Sequence, residues 1–537
     1  MAIVKKYWVT VSIFLIVLIG LFVRLYKIGF GLPYSFLYDE TDIYDNVIRY
    51  AFNYKFIMAE NNLEGFSPTS YVYGMFPTYF LTFCTMALNK LISIFKFSVD
   101  FDFYFVYMRI ATSLFSFGGV IFTTLIAKKL FKNSKYFLLT FLLAALNWKL
   151  AAHSHYLNQD TYLMVFFMSS IYFLTLYLSN GEKSKKIKEY IPLVVSSLLM
   201  GLATGTKITA LIVIPVIFLV MVLKKDFKSI FLYSFGTFIG FALSNPFSII
   251  YFSSFISRLV LMRSIEAGAV FSSVNTNPFK YIFSLFHLLT PPIFILSVIG
   301  IYESIKDLIK KYKDRNLDST NYSHIILVGS VLIYTIFFSL TPRLTDRWML
   351  PIIPILVIYS VLGFITIEKL IEKRKLLNIL FITVTAFIYI FYSFNLLNQL
   401  SIGKPRVNAY IWAKEYFNKT ENLNSKVLMY TNKGDRDPFN KIKNIEMEML
   451  RVYESRGAAD FYPKDPINYG YIIVHSSYVN NFKNSYVMNK YPDYFKAWLN
   501  FDNAINDKSK FKIIKEFKTT KLDLIGVPEI VIYEKLK

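Results

Sequence analysis

The chain has 537 residues, of which 55% are hydrophobic and 53 are Phe, more apolar mass than one soluble core of that length uses. Its formal charge of +23 invites nucleic acid as a partner, but the basic residues fall mainly in short connectors between apolar blocks, the pattern that orients membrane helices. Nucleic-acid binding is set aside on that ground, and Cys84, the single cysteine, leaves no room for an intramolecular disulfide or a thiolate metal cluster.

The first apolar run, Tyr7 to Val23, follows Lys5 and Lys6 as in a signal peptide. It is long and no small-X-small site precedes Arg24, so it is expected to remain as a membrane anchor. A membrane-crossing helix needs about 20 mostly apolar residues, and scanning for such runs gives roughly eleven spans. Their centres fall near Ile16, Phe117, Ala144, Phe166, Ser197, Pro215, Phe235, Phe294, Leu332, Leu356 and Thr385. With the N-terminus inside, the connectors 128–132, 182–188, 224–228, 306–315 and 368–375 are lysine-rich and therefore cytoplasmic. The opposite connectors, 24–103, 153–160, 204–207, 247–280 and 341–348, carry few basic residues and face the outside. This alternation holds only if the apolar stretch 76–97, which Asn89 and Lys90 interrupt, lies along the outer surface instead of crossing.

After Asn395 the apolar blocks end. The strings 426–430, 471–475 and 529–533 alternate with polar helical stretches, which reads as a soluble α/β domain over 400–537. An odd number of spans puts that domain outside, beside the large first loop 24–104. The expected fold is an α-helical polytopic membrane domain over 1–399 followed by an extracytoplasmic α/β domain, in a multi-pass protein of the cell membrane with a cytoplasmic N-terminus. No internal repeat, Walker-type phosphate loop or GxGxxG opening a helix is present in the sequence.

The first outer loop contains Arg24-Leu25-Tyr26, then Tyr38-Asp39-Glu40-Thr41-Asp42, then Tyr73-Gly74-Met75-Phe76-Pro77-Thr78-Tyr79. Arg109 opens the second span, which ends in Ala127-Lys128-Lys129-Leu130-Phe131, and His153-Ser154-His155 leads to Asp160. Gly201-Leu202-Ala203-Thr204-Gly205-Thr206-Lys207 closes the fifth span, and Arg347-Trp348-Met349-Leu350-Pro351-Ile352-Ile353-Pro354 opens the tenth. In this order and on this side, the set resembles the lipid-dependent glycosyltransferases of the GT-C superfamily, especially the protein O-mannosyltransferase and lipid A aminoarabinose transferase branch. Phe76-Pro77-Thr78-Tyr79 departs from the H-P-P-L-Y-like motif of that group, lacking its first His and second Pro. The resemblance covers the membrane part and implies a GT-C type fold with transfer of a sugar from a polyprenyl-phosphate carrier.

The chemistry stands without that name. Transfer from such a donor releases a lipid phosphate, which departs without a strong general acid. What remains is to deprotonate an acceptor hydroxyl in line with C1, and a positioned carboxylate does this. Asp39 is the base candidate, placed where a helix predicted over Thr41 to Phe52 begins and its dipole favours the ionised form. Glu40 would orient Asp39 or the acceptor. The plainer alternative is that Asp39 or Thr41 caps the helix and Glu40 is solvated. Asp160 closes a very short outer loop, where an ionisable group near hydrocarbon is expensive unless used or paired, and it is the carboxylate expected to face Asp39.

A phosphate donor needs outer-surface cations, and Arg109, Lys207, Arg343 and Arg347 all fall at outer ends of expected spans. Their alternative role is snorkelling to the interface; Arg109 has a further one, pairing with a carboxylate to hold the first loop. Most of the 40 Tyr and 53 Phe populate interfacial belts, but Tyr38, Tyr44 and Tyr73 lie beside the expected site and are kept for sugar contact. The loop 247–280, with Arg258, Arg263 and Glu266, has the length of a substrate-gating loop. A divalent ion is left open by the resemblance, since some members use one and others none. His153 and His155 diverge on a helix, so no metal ligands are assigned.

The function expected is an inverting, mannosyltransferase-like hexosyl or pentosyl transfer to a hydroxyl of a protein, a lipid or a cell-envelope glycan such as lipopolysaccharide. A lipid-linked sugar transporter or flippase is the competing class, and it predicts charges along a midplane path and often inverted repeats. Here the acids crowd the outer edge. A membrane anchor for an outer binding domain is the third class, and so many spans are excessive for anchoring. In the C-terminal domain Asp435, Asp437, Asp460 and His475 form no recognised spacing and are read as surface groups.

Overall fold

A computed structural model of the chain describes residues 2–32, 38–59, 63–67, 74–179, 187–266, 271, 274–402, 405–419, 425–431, 438–449, 462–518, 522, 524–525 and 529–536. The first part is helical: α1 (Ala2–Leu25), α2 (Tyr38–Ala59), α3 (Phe76–Phe95), α4 (Phe101–Leu130), α5 (Ser134–Leu146), α6 (Trp148–Ser154), α7 (Gln159–Ser179), α8 (Ile191–Thr206) and α9 (Ile214–Leu223). It continues through α10 (Phe227–Ser244), α11 (Phe247–Ile250), α12 (Phe252–Glu266), α13 (Lys280–Leu288), α14 (Pro291–Lys313), α15 (Ser319–Ser339), α16 (Ile353–Ile371) and α17 (Lys375–Ile402). Each of the span centres read from the sequence falls in a helix of its own. Among the described residues nine helices are long and apolar enough to cross a membrane, or up to 11 if each of two bent pairs is one span. Helix α3 passes that test too, so length and composition alone do not separate crossing from lying flat.

Two expected spans are not plain rods. The one centred on Pro215 is a 3-10 segment, Ile208–Val213, followed by the short α9, because Pro215 lacks an N–H and restarts the helix from its first turn. The one centred on Phe294 is preceded by α13, which meets α14 at 117°. That corner is Thr290, whose φ of 73° is left-handed, followed by Pro291 and Pro292 in the first turn of α14.

Helix α7 runs through the centre of the bundle, with every side chain from Gln159 to Ile171 buried. It packs against α4 and α8, and α8 in turn lies against α10 along much of its length. Their approach depends on glycine: a Cβ on Gly240 would stand 2.2 Å from the carbonyl oxygen of Leu198. The periphery is apolar and exposed, as at Phe14 of α1, Phe231 of α10 and Phe387 of α17, which is the surface an integral membrane protein turns to lipid.

The C-terminal part is a five-stranded sheet of order β2-β1-β3-β5-β4, formed by β1 (Val427–Thr431), β2 (Ile445–Met449), β3 (Tyr471–His475), β4 (Phe511–Phe517) and β5 (Ile530–Lys535). Strand β1 pairs parallel with β2 and β3, while β5 runs antiparallel to β3 and β4. Helix α18 (Pro405–Phe417) covers one face; α19 (Ser476–Phe482), α20 (Ser485–Lys490) and α21 (Pro492–Asn506) cover the other. The three strings expected to be strands are β1, β3 and β5. His475 corrects the surface reading: it ends the central strand β3, layered on both faces, and is only 1% exposed. Burial, with Arg406 nearby, pushes its imidazole well below the ordinary range. Asp435, Asp437 and Asp460 lie outside the described residues.

The two parts grip each other twice. Leu524 packs into the membrane-helix core, its N–H donating to Gln399 of α17 at 3.1 Å, while Asn395 donates to the Leu522 carbonyl at 2.9 Å. In the other direction Phe271, from the loop after α12, is buried in the sheet domain against Phe482, Tyr491 and Tyr494, and Asn484 donates to its carbonyl at 2.9 Å.

Candidate active site

The first turn of α2 carries Asp39 and Glu40, one residue apart and therefore aimed about 100° apart around the helix. They meet different cations. Glu40 points inward and is 1% exposed, where Arg109 of α4 grips it with two parallel bonds, Nε to Oε1 and Nη2 to Oε2, each 2.9 Å. The Leu157 N–H donates to the same Oε1 at 3.0 Å. The remaining nitrogen of Arg109 donates to the carbonyls of Ile28 and Phe30 at 3.0 and 2.8 Å. One guanidinium thus fastens the start of the first loop, α2 and α4 together. The guanidinium nitrogens of Arg109 and both oxygens of Glu40 are engaged within the protein.

Asp39 points the other way. Its Oδ2 accepts a hydrogen bond from Nη1 of Arg347, in the 3-10 turn Asp346–Met349. The Nε of Arg347 also lies 3.7 Å from Oδ2 of Asp160, in the first turn of α7. Lys207, at the C-terminal cap of α8, donates to Oδ1 of Asp160 at 2.6 Å. Two carboxylates and two cations from four elements thus form one alternating chain. Burial opposes the charge on Asp39, but the Arg347 guanidinium, with Lys207 and Arg343 behind it, holds its carboxyl below the usual carboxylate range.

The backbone around this chain is pinned. Gly74 donates to the Thr206 carbonyl at 3.1 Å, and a Cβ on Gly74 would fall 1.6 Å from the Gly205 carbonyl oxygen, so only glycine lets the first loop rest on the end of α8 beside Lys207. Val274 forms an antiparallel bridge with Arg343, and the Asn275 N–H donates to the Pro342 carbonyl at 2.9 Å. Buried Lys280 donates to the carbonyls of Asn275 and Ser339, at 2.9 and 3.0 Å, and of Thr341. The loop expected to gate substrate and the segment bearing Arg343 and Arg347 are therefore one unit. Arg343 itself lies over the Trp348 ring, 5.6 Å from its centroid.

Other expected contacts fall elsewhere or outside view. Tyr44 is stacked on Phe105 at 4.6 Å, within the packing of α2 against α4. Tyr38 opens α2, and Arg263 and Glu266 belong to α12, but their side chains are not among those described; Tyr73 lies outside the described residues. His155 sets its ring nitrogens against the carbonyls of Ala151 and Tyr26, at 2.8 and 3.0 Å. The two carboxylates best placed for a divalent ion, Asp39 and Asp160, already face cations, and among the described residues no three His, Cys, Asp or Glu converge.

The sequence reading missed Lys149 and Asp346. Lys149 lies in the first turn of α6 within electrostatic reach of Asp346, Arg347 and Asp160, and Asp346 accepts a 2.6 Å hydrogen bond from Ser284. The signal available was Asn147, a capping residue inside an apolar block, marking the 50° break after which α6 and Lys149 begin.

Residues 95–250 match a family model described as dolichyl-phosphate-mannose-protein mannosyltransferase. No curated protein sequence matches the chain. Among solved structures, the archaeal oligosaccharyltransferase AglB from Archaeoglobus fulgidus, in complex with an inhibitory peptide and a dolichol-phosphate, is similar with a TM-score of 0.55 at 13% identity, over 96% of this chain and 80% of that one. ArnT from Cupriavidus metallidurans, bound to undecaprenyl phosphate, is similar with a TM-score of 0.50 at 12% identity, over 98% of both chains. The chain has the GT-C fold of these membrane glycosyltransferases, as its outer-loop motifs led one to expect.

Proposed function

We propose that this protein is an inverting glycosyltransferase that moves a sugar from a polyprenyl-phosphate-linked donor to a hydroxyl acceptor at the outer face of the membrane. The observation that carries this reading is the chain Asp39, Arg347, Asp160, Lys207, which gathers an ionised carboxylate and two phosphate-compatible cations at one end of the bundle. The acceptor oxygen attacks C1 from the face opposite the phosphate. Its proton passes to Asp39, and the bond from C1 to the phosphate oxygen breaks, leaving its electron pair on polyprenyl phosphate. Attack from the opposite face inverts the anomeric centre. Arg347 and Lys207, with Arg343, receive the lipid phosphate, as fits the carriers held by AglB and ArnT. Asp160 keeps Arg347 and Lys207 aligned. Glu40 and Arg109 act as positioning residues that fix α2, which is how Asp39 comes to face the site.

In this reading residues 1–399 form the catalytic unit, with a cytoplasmic N-terminus, and 400–537 form an outer domain that presents the acceptor. Among the described residues Asp39, Asp160, Lys207 and Arg347 cluster together, which favours transfer over transport.

The reading is tested with purified protein in lipid and a panel of radiolabelled polyprenyl-phosphate monosaccharides, comparing the wild type with Asp39→Asn. Turnover of one donor, lost in Asp39→Asn, supports the reading. Donor binding with no turnover, unchanged by the substitution, shifts it to a transporter.

A further inference from the structure

We infer that Lys149 is a binding residue for the donor's phosphate, an inference that rests on the glycosyltransferase reading. The argument begins with what the other cations do. Arg109 is paired with Glu40, Lys207 with Asp160, and Arg347 with Asp39 and Asp160. Lys149 has no carboxylate within 4.0 Å among the described residues, although Asp346 and Asp160 are near enough to act on it electrostatically. Its ammonium lies 5.3 Å from the Trp148 ring centroid, an apolar and aromatic neighbour that does not neutralise it. A partly buried ammonium without a counter-ion is costly in any folded chain, and the missing partner is an anion.

Charge gives the class of anion. Among the described residues Lys207 and Arg347 already lie against Asp160 and Asp39, and Lys149 adds a positive charge with no acid at its side. A sugar joined to polyprenol through phosphate is a phosphodiester with one negative charge, which one ammonium can match. When the bond to C1 breaks, that phosphate becomes a monoester and gains charge. An ammonium bound to that phosphate would therefore stabilise the transition state more than the bound donor.

The backbone at Lys149 is held in place. Asn147 caps the first turn of α6, accepting from the N–H groups of Lys149 and Leu150 at 3.1 and 3.0 Å, and donates to the Leu288 carbonyl at 3.3 Å. Trp148 donates to the His287 carbonyl at 3.3 Å. These bonds tie the turn to the end of α13, just before the 117° corner into α14.

The experiment measures binding of undecaprenyl phosphate and of undecaprenol to the full-length protein in nanodiscs, for the wild type, Lys149→Met and Lys149→Arg. The expected result is wild-type preference for the phosphate, at least a tenfold loss of phosphate affinity in Lys149→Met with alcohol binding unchanged, and recovery of most of it in Lys149→Arg. Wild-type phosphate affinity in Lys149→Met overturns the assignment and leaves the glycosyltransferase reading standing. A wild type that does not prefer phosphate over alcohol overturns both. A second measurement guards against misfolding of the variant: amine-reactive labelling of Lys149 in the wild type, read by mass spectrometry. Undecaprenyl phosphate is expected to protect it, and undiminished labelling overturns the inference.

Discussion

Arg347 bridges Asp39 and Asp160: its Nη1 donates to Oδ2 of Asp39 while its Nε stands 3.7 Å from Oδ2 of Asp160. The guanidinium is planar and forked, so one side chain fixes two carboxylates that belong to different helices. Removing it should alter the ionisation of Asp39 before it alters anything else.

That gives a pH prediction. The folded pKa of Asp39 is depressed, so the ion pair contributes stability above the free carboxylate value of about 3.9, and the contribution is lost as pH falls through the folded value. As a base, Asp39 should stay competent throughout the neutral range. In Arg347→Ala the burial that raises the pKa is still opposed by Lys207 and Arg343 but no longer by the guanidinium, and the acid limb of the rate profile should move to higher pH. An acid limb that stays where it is in this variant would remove Asp39 as the titrating base.

Asp39→Asn keeps the shape of the side chain and removes the base. Transfer should fall by about 10²–10⁴-fold, the range of general base catalysis, while undecaprenyl phosphate binding is retained. Loss of lipid binding in parallel would make Asp39 a structural residue.

Glu40 and Arg109 predict a fold defect. Breaking a buried pair by removing one partner costs about 3–5 kcal/mol, because the other charge is stranded, so Glu40→Gln and Arg109→Met should each lower the melting temperature in detergent. Replacing both with apolar residues, Glu40→Leu with Arg109→Met, should recover part of the loss. If Glu40→Gln melts like the wild type yet is inactive, Glu40 belongs to the chemistry after all.

Phe271 ties the loop beside the candidate site to the C-terminal domain. Emptying its socket with Phe271→Ala removes packing worth about 3–5 kcal/mol for a buried ring, and Phe271→Leu should cost less. Limited proteolysis should then cut within 247–280 faster than in the wild type. Unchanged cleavage would mean that the bridge of Val274 to Arg343 and the three bonds of Lys280 hold the loop by themselves.

The membrane helices were legible because hydrocarbon demands about 20 apolar residues in one run, a constraint written locally in the chain. The same holds for β1, β3 and β5, which are apolar through the middle of the sheet. Strand β2, with Glu446 and Glu448 between its apolar residues, and edge strand β4, with Lys512, Lys515 and Glu516, were not read, since such residues are poor strand formers and only pairing makes them strands.

By itself the sequence determined the helical membrane architecture, the C-terminal domain's α/β character and the list of charged residues to watch, because each depends on the composition of a short window. Tertiary structure alone decided how those charges pair. Asp39 and Glu40 are adjacent in sequence, yet the turn of α2 sends one to Arg347 and the other to Arg109. Coulomb attraction falls off over a few ångströms while the partners are scattered along the chain, so which charge pairs with which is settled only when the helices pack.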